Sequence, residues 1–295
     1  TGTISDHLDE LMTERRRLVA RGKLATDTIT SNALEVEELK RAFGKMQPGA
    51  LRPKHVWDYI HLHRGAEAPI RANREVALLS RMFTRLVNQG ALDSNPCIGV
   101  ERNEETPRDR LVSEKEWRAF LLFARGNGHL PKDSPMRAHS KAGLRMALCA
   151  EVAYLTGKAQ GQVIKLHRTQ VTADGIEFGA RKRGRRTLVE WTPVLEAVVA
   201  ECKALPSRIT STYLIPNEDG QPYTSSGFKS TWQRVMKAWV EDGNERFTFH
   251  DLRGKAVTDM RSDGRRASDL TGHTTEATID RVYDRRAVRK TKAVR

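Results

Sequence analysis

His250-Asp251-Leu252-Arg253, Gly272-His273 and Tyr283 stand in that order near the end of the sequence. An arginine grips phosphate oxygens with a planar fork of donors. A histidine carries or gives up a proton near neutral pH. A tyrosine hydroxyl can attack phosphorus once nearby groups neutralise the developing charge. The set is therefore equipped for nucleophilic attack on a phosphodiester. Each member also has a plainer role: Arg253 as a structural ion pair, Tyr283 as a packing residue, either histidine as a satisfied polar group. His61 and His63, two residues apart, do not share a helix face on which to hold a metal.

The ordered set resembles the tyrosine recombinases, the phage-type integrase family. There a His-x-x-Arg motif, a Gly-His motif and a nucleophilic tyrosine follow one another near the C-terminus. One motif alone is weak; the ordered set is specific. The resemblance implies that Tyr283 attacks the scissile phosphate and becomes a 3′-phosphotyrosyl link. Arg253 would hold a non-bridging oxygen, and His250 and His273 would contact the phosphate or relay protons. The family also carries a lysine on a β-hairpin that protonates the leaving 5′ oxygen. The basic run Arg181-Lys182-Arg183-Gly184-Arg185-Arg186 lies between two candidate strands. With Gly184 at the turn, Lys182 takes that role, and a one-residue register shift would move it. Arg181, Arg183, Arg185 and Arg186 would then contact DNA phosphates.

One position departs from the family pattern. Thr-Gly-x-Arg is expected, and Thr156-Gly157-Lys158 is followed by Ala159. Alanine cannot clamp phosphate. Lys158 and Arg168 are near in sequence, but neither occupies the matching position. Losing one preorganised donor of this kind typically costs ~3–4 kcal/mol, or ~10²–10³ in rate. The expectation is a recombinase weakened at Ala159, by engineering or natural decay, that still binds DNA. The spacing from Arg253 to His273 is also shorter than in many relatives.

Helical periodicity supplies most of the positioning elements. Ser5 or Asp6 can cap a first helix with Leu8, Leu11, Met12, Leu18 and Val19 inward and Arg15-Arg16-Arg17 as a basic face. A second helix is expected over residues 31–43. Pro53 can open a third, with Val56, Trp57 and Ile60 inward. Residues 70–89 give the clearest helix of this half, with Val76, Leu79, Met82, Phe83, Leu86 and Val87 as its stripe. Arg71, Arg74 and Arg81 lie mostly off that stripe and are candidate DNA contacts. The segment from Asn73 to Cys97 also looks like the end of an integrase core-binding domain.

Residues 100–111 are polar, charged and proline-containing, and read as an inter-domain linker. Ser113 with Glu116 forms a capping-box pattern before Trp117, Phe120, Leu121 and Ala124. A loop is expected over residues 126–135, then helices over residues 144–155 and 163–166. Residues 176–178 and 187–191 read as strands joined by the basic hairpin. Thr192-Pro193 opens a helix to about Leu205. Ser225 or Ser226 caps another, whose Phe228, Trp232, Val235, Met236 and Trp239 form a core stripe.

The fold expected is mainly α with a small antiparallel β-sheet (α+β). The resemblance assigns residues 1–106 to a helical core-type DNA-binding domain. Residues 107–295 become a tyrosine-recombinase catalytic domain with a basic C-terminal tail. An additional N-terminal arm-binding domain is not visible. The chain opens on Thr1-Gly2 without Met, as expected of a fragment or processed chain.

The net charge is +14, from 51 basic and 37 acidic residues. Such a balance suits a polyanionic partner through counterion release, although a solvated basic surface would give the same total. Cys97, Cys149 and Cys202 form no CxxC pair, so neither a zinc site nor a disulfide framework is expected. No run approaches the ~20 apolar residues of a membrane span, and no export signal is seen, so the expected location is the cytoplasm. The resemblance implies double-stranded DNA attachment sites, a homo-tetramer in the synapse, accessory DNA-bending proteins, no metal and no cofactor. It implies site-specific strand exchange for a mobile element, integrating or excising it. Two other readings remain open: a non-catalytic DNA-binding protein on this scaffold, and a type IB topoisomerase-like or telomere-resolving enzyme.

Overall fold

The computed structural model describes residues 2–106, 110–126, 140–179 and 186–264, the side chains of residues 140 and 141 excepted. The chain divides into two compact units, Thr1–Thr106 and Pro107–Arg295.

The first unit is helical: α1 (Ile4–Ala20), α2 (Thr26–Phe43), α3 (Pro53–His61), α4 (Arg64–Glu67) and α5 (Pro69–Asn88). α1 starts earlier than expected because Thr3, not Ser5 or Asp6, is its cap. The Thr3 side chain accepts from the Asp6 amide, and Asp6 accepts in return from the Thr3 backbone at 2.8 Å. That reciprocal pairing satisfies donors the helix would otherwise leave open. α2 also starts earlier, at Thr26, so the expected start at residue 31 is corrected.

Leu8, Leu39, Val56, Ile60, Val76, Leu79, Met82 and Phe83 meet in one apolar core. Two inward assignments change. Arg15 turns in from the basic face of α1, where its Nε donates to Asn32 Oδ1 at 2.7 Å. On α3 the core position belongs to Tyr59, while Trp57 is 43% exposed.

Tyr59 leads to a deeply buried carboxylate in this unit. Glu75 on α5 is 1% exposed. It accepts from Tyr59 Oη at 2.7 Å and from Arg64 Nη2 at 3.1 Å. Removing one partner of a buried ion pair strands a charge, at ~3–5 kcal/mol. Tyr59 remains, and Arg64 is partly exposed, so Arg64→Met is expected to lose roughly 2–4 kcal/mol from this unit. Urea unfolding checks it; a loss below about 0.5 kcal/mol, typical of an unimportant surface change, would refute it.

The second unit contains α6 (Glu114–Ala124), α7 (Ser140–Thr156), α8 (Gln160–Val163), β1 (Gly175–Phe178), β2 (Thr187–Glu190), α9 (Pro193–Lys203), α10 (Ser225–Glu241) and α11 (Asp251–Ser262). The Ser113–Glu116 capping box forms as its spacing indicates. α8 ends at Val163, where a helical turn was expected to begin. Thr192 caps α9, accepting from the Leu195 amide at 3.2 Å. α10 is capped by Thr224 rather than by Ser225 or Ser226.

β1 and β2 are antiparallel, with Gly175 opposite Glu190 and Phe178 opposite Thr187. Gly175 has φ +152, and a Cβ there would lie 2.2 Å from the Val189 carbonyl oxygen. Only glycine allows the strands to close at that register. The basic residues expected at the hairpin tip, 180–185, lie outside the described residues, as does most of the loop expected over residues 126–135.

The aromatic stripe of α10 is core, as its spacing indicates. Phe120 of α6 meets Trp232, Trp239 and Phe247, with centroids 5.4, 5.6 and 5.0 Å away. Such tilted and edge-on contacts add to the area the rings remove from water. α7 passes through the same core, with Met146, Leu148, Cys149 and Val152 buried. All three cysteines are buried thiols, and burial pushes the Cys97 thiol up to about 12.

Candidate active site

α7 ends at Thr156, and the next residue turns the chain. Gly157 has φ +61, a left-handed conformation that glycine adopts without a Cβ clash. Lys158 and Ala159 follow directly. Ala159 is half-buried in extended backbone, φ −74 and ψ 153, immediately before α8.

Arg253 comes to this turn from α11. Its Nη1 donates to the Gly157 carbonyl at 2.9 Å, and the residue is 4% exposed. A single arginine thus ties the turn after α7 to the first turn of α11. A guanidinium carries five donors on one rigid fork. A structural tie and a grip on an anion are therefore compatible in one side chain.

The start of α11 is set by residues that sequence reasoning passed over. The Asp251 carboxylate accepts from the Thr248 amide and the Thr248 hydroxyl, both at 2.7 Å. The Asp251 amide donates back to the Thr248 carbonyl at 2.9 Å. Phe247 and Phe249 are buried on either side, and His250 is exposed. The loop is pinned so that its aromatic residues face inward while the histidine faces solvent. The signal was present: Thr248-x-x-Asp251 is a capping-box spacing. A pocket of about 220 Å³ lies beside His250, with Gln160, Trp232 and Phe249 among its walls.

Lys158 also proves more central than its sequence position suggested. It is 3% exposed, and its Nζ lies 5.2 Å from the centroid of the Phe178 ring at the end of β1. Burial, and then the neighbouring positive charge of Arg253, lower its pKa to about 8. The Gly157 turn therefore brings together two buried cationic side chains.

Behind the site, α7 and α11 are joined by a polar network. Lys255, 2% exposed, donates to Asp259 at 2.8 Å and pairs with Glu114 at 3.1 Å. Tyr154 Oη donates to the same Asp259 oxygen at 2.8 Å. Burial and this hydrogen bond raise the Tyr154 phenol well above its ordinary value. Lys255 is thereby a brace for the helix that presents Arg253.

Among the described residues, no three His, Cys, Asp or Glu side chains come together to hold a metal. No helix among them is long and apolar enough to cross a membrane.

The sequence pattern of the phage integrase family matches residues 133–289, more than half of the 295-residue chain. The chain belongs to the phage integrase family. These are the tyrosine recombinases, as the ordered motifs indicated.

Solved structures of integrases have the same fold as this family member. A lambda integrase dimer bound to a COC′ core site aligns with TM-score 0.76 and 15% identity, over 99% of this chain and 80% of that one. A lambda integrase tetramer bound to a Holliday junction gives 0.78 and 16%, over 100% and 81%. The Tn1549 transposon integrase in complex with circular intermediate DNA gives 0.73 and 13%, over 96% and 95%. At such identities the likeness speaks for the fold. None of the curated proteins matches the chain.

Of the catalytic positions assigned from sequence, His250, Arg253 and Ala159 are described, and they lie at the start of α11 and at the turn before α8. Lys182, Arg181, Arg183, Arg185, His273 and Tyr283 lie outside the described residues. Arg186, just before β2, is exposed and pairs with Glu177 at 3.3 Å. A pair this exposed contributes little and leaves the arginine available to a stronger anion. Arg71, Arg74 and Arg81 are all exposed on α5.

Proposed function

We propose that this integrase-family chain is a site-specific DNA recombinase working through a 3′-phosphotyrosyl intermediate, and that Ala159 weakens it. The carrying observation is Arg253, held at the Gly157 turn on a helix that also presents His250, within an ordered set ending in Tyr283. Tyr283 Oη attacks phosphorus as its proton passes to a site histidine. The bond from phosphorus to the 5′ oxygen breaks, and Lys182 protonates the leaving oxygen. Arg253 holds a non-bridging oxygen as charge builds there. A 5′-hydroxyl from the partner strand then attacks the phosphotyrosine, and a proton returns to the tyrosine oxygen. One phosphoester replaces another, so the bond energy is conserved and the chemistry requires neither ATP nor a metal.

Residues 1–106 act as the helical DNA-binding domain, through Arg71, Arg74 and Arg81, and residues 107–295 as the catalytic domain. Arg181, Arg183, Arg185 and Arg186 contact the backbone beside the cut. The lambda and Tn1549 structures on core-site, junction and circular-intermediate DNA support double-stranded recombination sites as the substrate. The lambda tetramer supports assembly of four protomers in the synapse. A transposon integrase among the structural relatives supports a mobile-element role.

The test uses nicked suicide duplexes from a library of candidate element junctions. The wild-type chain should give a denaturation-resistant protein–DNA adduct, and Tyr283→Phe should give none. An adduct that survives Tyr283→Phe would refute Tyr283 as nucleophile. A second reading, a DNA-binding protein without catalysis, draws on Ala159. It gains if wild type and Ala159→Arg both bind junction DNA tightly and form no adduct.

A further inference from the structure

One indole on α10 lacks what its neighbour has. Trp239 Nε1 donates to the Glu245 carbonyl at 3.0 Å. Trp232 lies on the same stripe and is 6% exposed, and its Nε1 is buried with no hydrogen-bond partner among the described residues. A buried donor left unpaired keeps its desolvation cost until an acceptor arrives. Trp232 is part of the wall of the pocket beside His250. The acceptor can therefore come from whatever fills that pocket.

The rest of the wall indicates the chemistry of that occupant. Lys229, three residues before Trp232 on α10, is exposed, and so is Arg246 on the segment leading to His250. Lysine, arginine and indole side chains can only donate. Among the described residues no carboxylate lines the pocket. Much of the remaining wall is aromatic, and a low-dielectric surround strengthens attraction between charges. Donors and cations without an acid suit an oxyanion. The location suits one as well. Gln160, which follows Ala159, and His250 both belong to the wall, so the pocket borders the place the recombinase reading gives to the scissile phosphate.

We propose that this pocket is a second phosphate subsite, in which Trp232 Nε1, Lys229 and Arg246 hold a DNA backbone phosphate neighbouring the scissile one. This rests on the recombinase reading and deepens it. The three are positioning residues: they fix the strand in register and leave the chemistry to the groups around the cut. A strand held at a flanking phosphate keeps its place even where Ala159 supplies no donor to the scissile one.

The experiment replaces single phosphates by neutral methylphosphonates along the nicked library duplex that the chain binds most tightly. One such replacement should weaken wild-type binding about 10- to 100-fold, the worth of hydrogen bonds to a charged group. In a Lys229→Met, Arg246→Met double variant it should cost about twofold or less, because the partner cations are gone. Trp232→Phe, which keeps a ring and removes the donor, should fall between. Lys229 and Arg246 are exposed, so their replacement spares the core. The double variant should also flatten the slope of log affinity against log salt by about 1. A scan in which every replacement costs wild type and double variant alike would overturn the proposal.

An independent arm separates the subsite from the reaction. Inorganic phosphate is titrated into the wild-type chain at constant ionic strength. The Trp232 indole N–H resonance, identified by its loss in Trp232→Phe, is followed by NMR and should move downfield as the donor gains an acceptor. If phosphate moves it and the scan finds its position while neither wild type nor Ala159→Arg forms an adduct, the subsite stands and the recombinase reading falls. If phosphate moves it and the scan finds no position, the pocket takes a free anion and the DNA subsite is overturned. If phosphate leaves the resonance unmoved, the subsite falls whatever the adduct shows.

Discussion

Ala159→Arg is expected to raise the rate of phosphotyrosyl adduct formation roughly 10²- to 10³-fold, the typical worth of one preorganised donor. The backbone at this position is extended and accepts any side chain. Ala159 is half-buried, so a longer side chain has an outlet toward solvent. The arginine would add a fork of donors where the turn now offers Lys158. It would also add a third cation to a site that already holds two, and without DNA the variant should be less stable than wild type. That combination, faster chemistry on a less stable fold, marks a charge placed for a bound anion. Initial adduct rates on the nicked duplex decide it. A rate equal to wild type would mean that Ala159 is not the weak point.

The helices were legible because their signals are local. Pro53, the Ser113–Glu116 box and Thr192-Pro193 each act within a single turn of chain. The start of α1 was less legible, because Thr3, Ser5 and Asp6 are all chemically able to cap. The winner is set by which pairing satisfies two backbone groups at once. Arg15 and Trp57 depart from their expected places for a different reason. Periodicity tells which face a residue lies on, whereas Asn32 and Glu75, on other helices, decide which polar group can be buried there.

The site divides along the same line. His250, Arg253 and the gap at Ala159 stand out by order and spacing. That Arg253 is tied to the Gly157 carbonyl could not be read, since the two residues are brought together only by α7 packing against α11. The motif argues against Lys158, because its position is off by one. In space, the same offset places it buried beside Arg253. A motif records which position usually carries a charge, and the fold records where a charge can reach.

Lys158→Met is expected to stabilise the second unit at neutral pH. Burial and Arg253 lower the lysine from its ordinary 10.5 to about 8 in the folded chain. Between those values the unfolded chain binds more protons, so stability rises as pH climbs from about 8 toward 10. At pH 7 both states are protonated and the whole penalty is present. A tenfold change in an acid constant is worth ~1.4 kcal/mol, so the penalty is on the order of 3 kcal/mol. Methionine keeps the length of the stem, carries no charge and retains a contact suited to the Phe178 ring. The gain should therefore be largest near neutral pH and shrink as alkali deprotonates the wild-type lysine. Urea unfolding across that range measures it. A variant that is less stable than wild type at neutral pH would show that the protein's own contacts outweigh the cost of burying the charge. A gain that fades with rising pH would show that the folded chain holds this cation at a net cost.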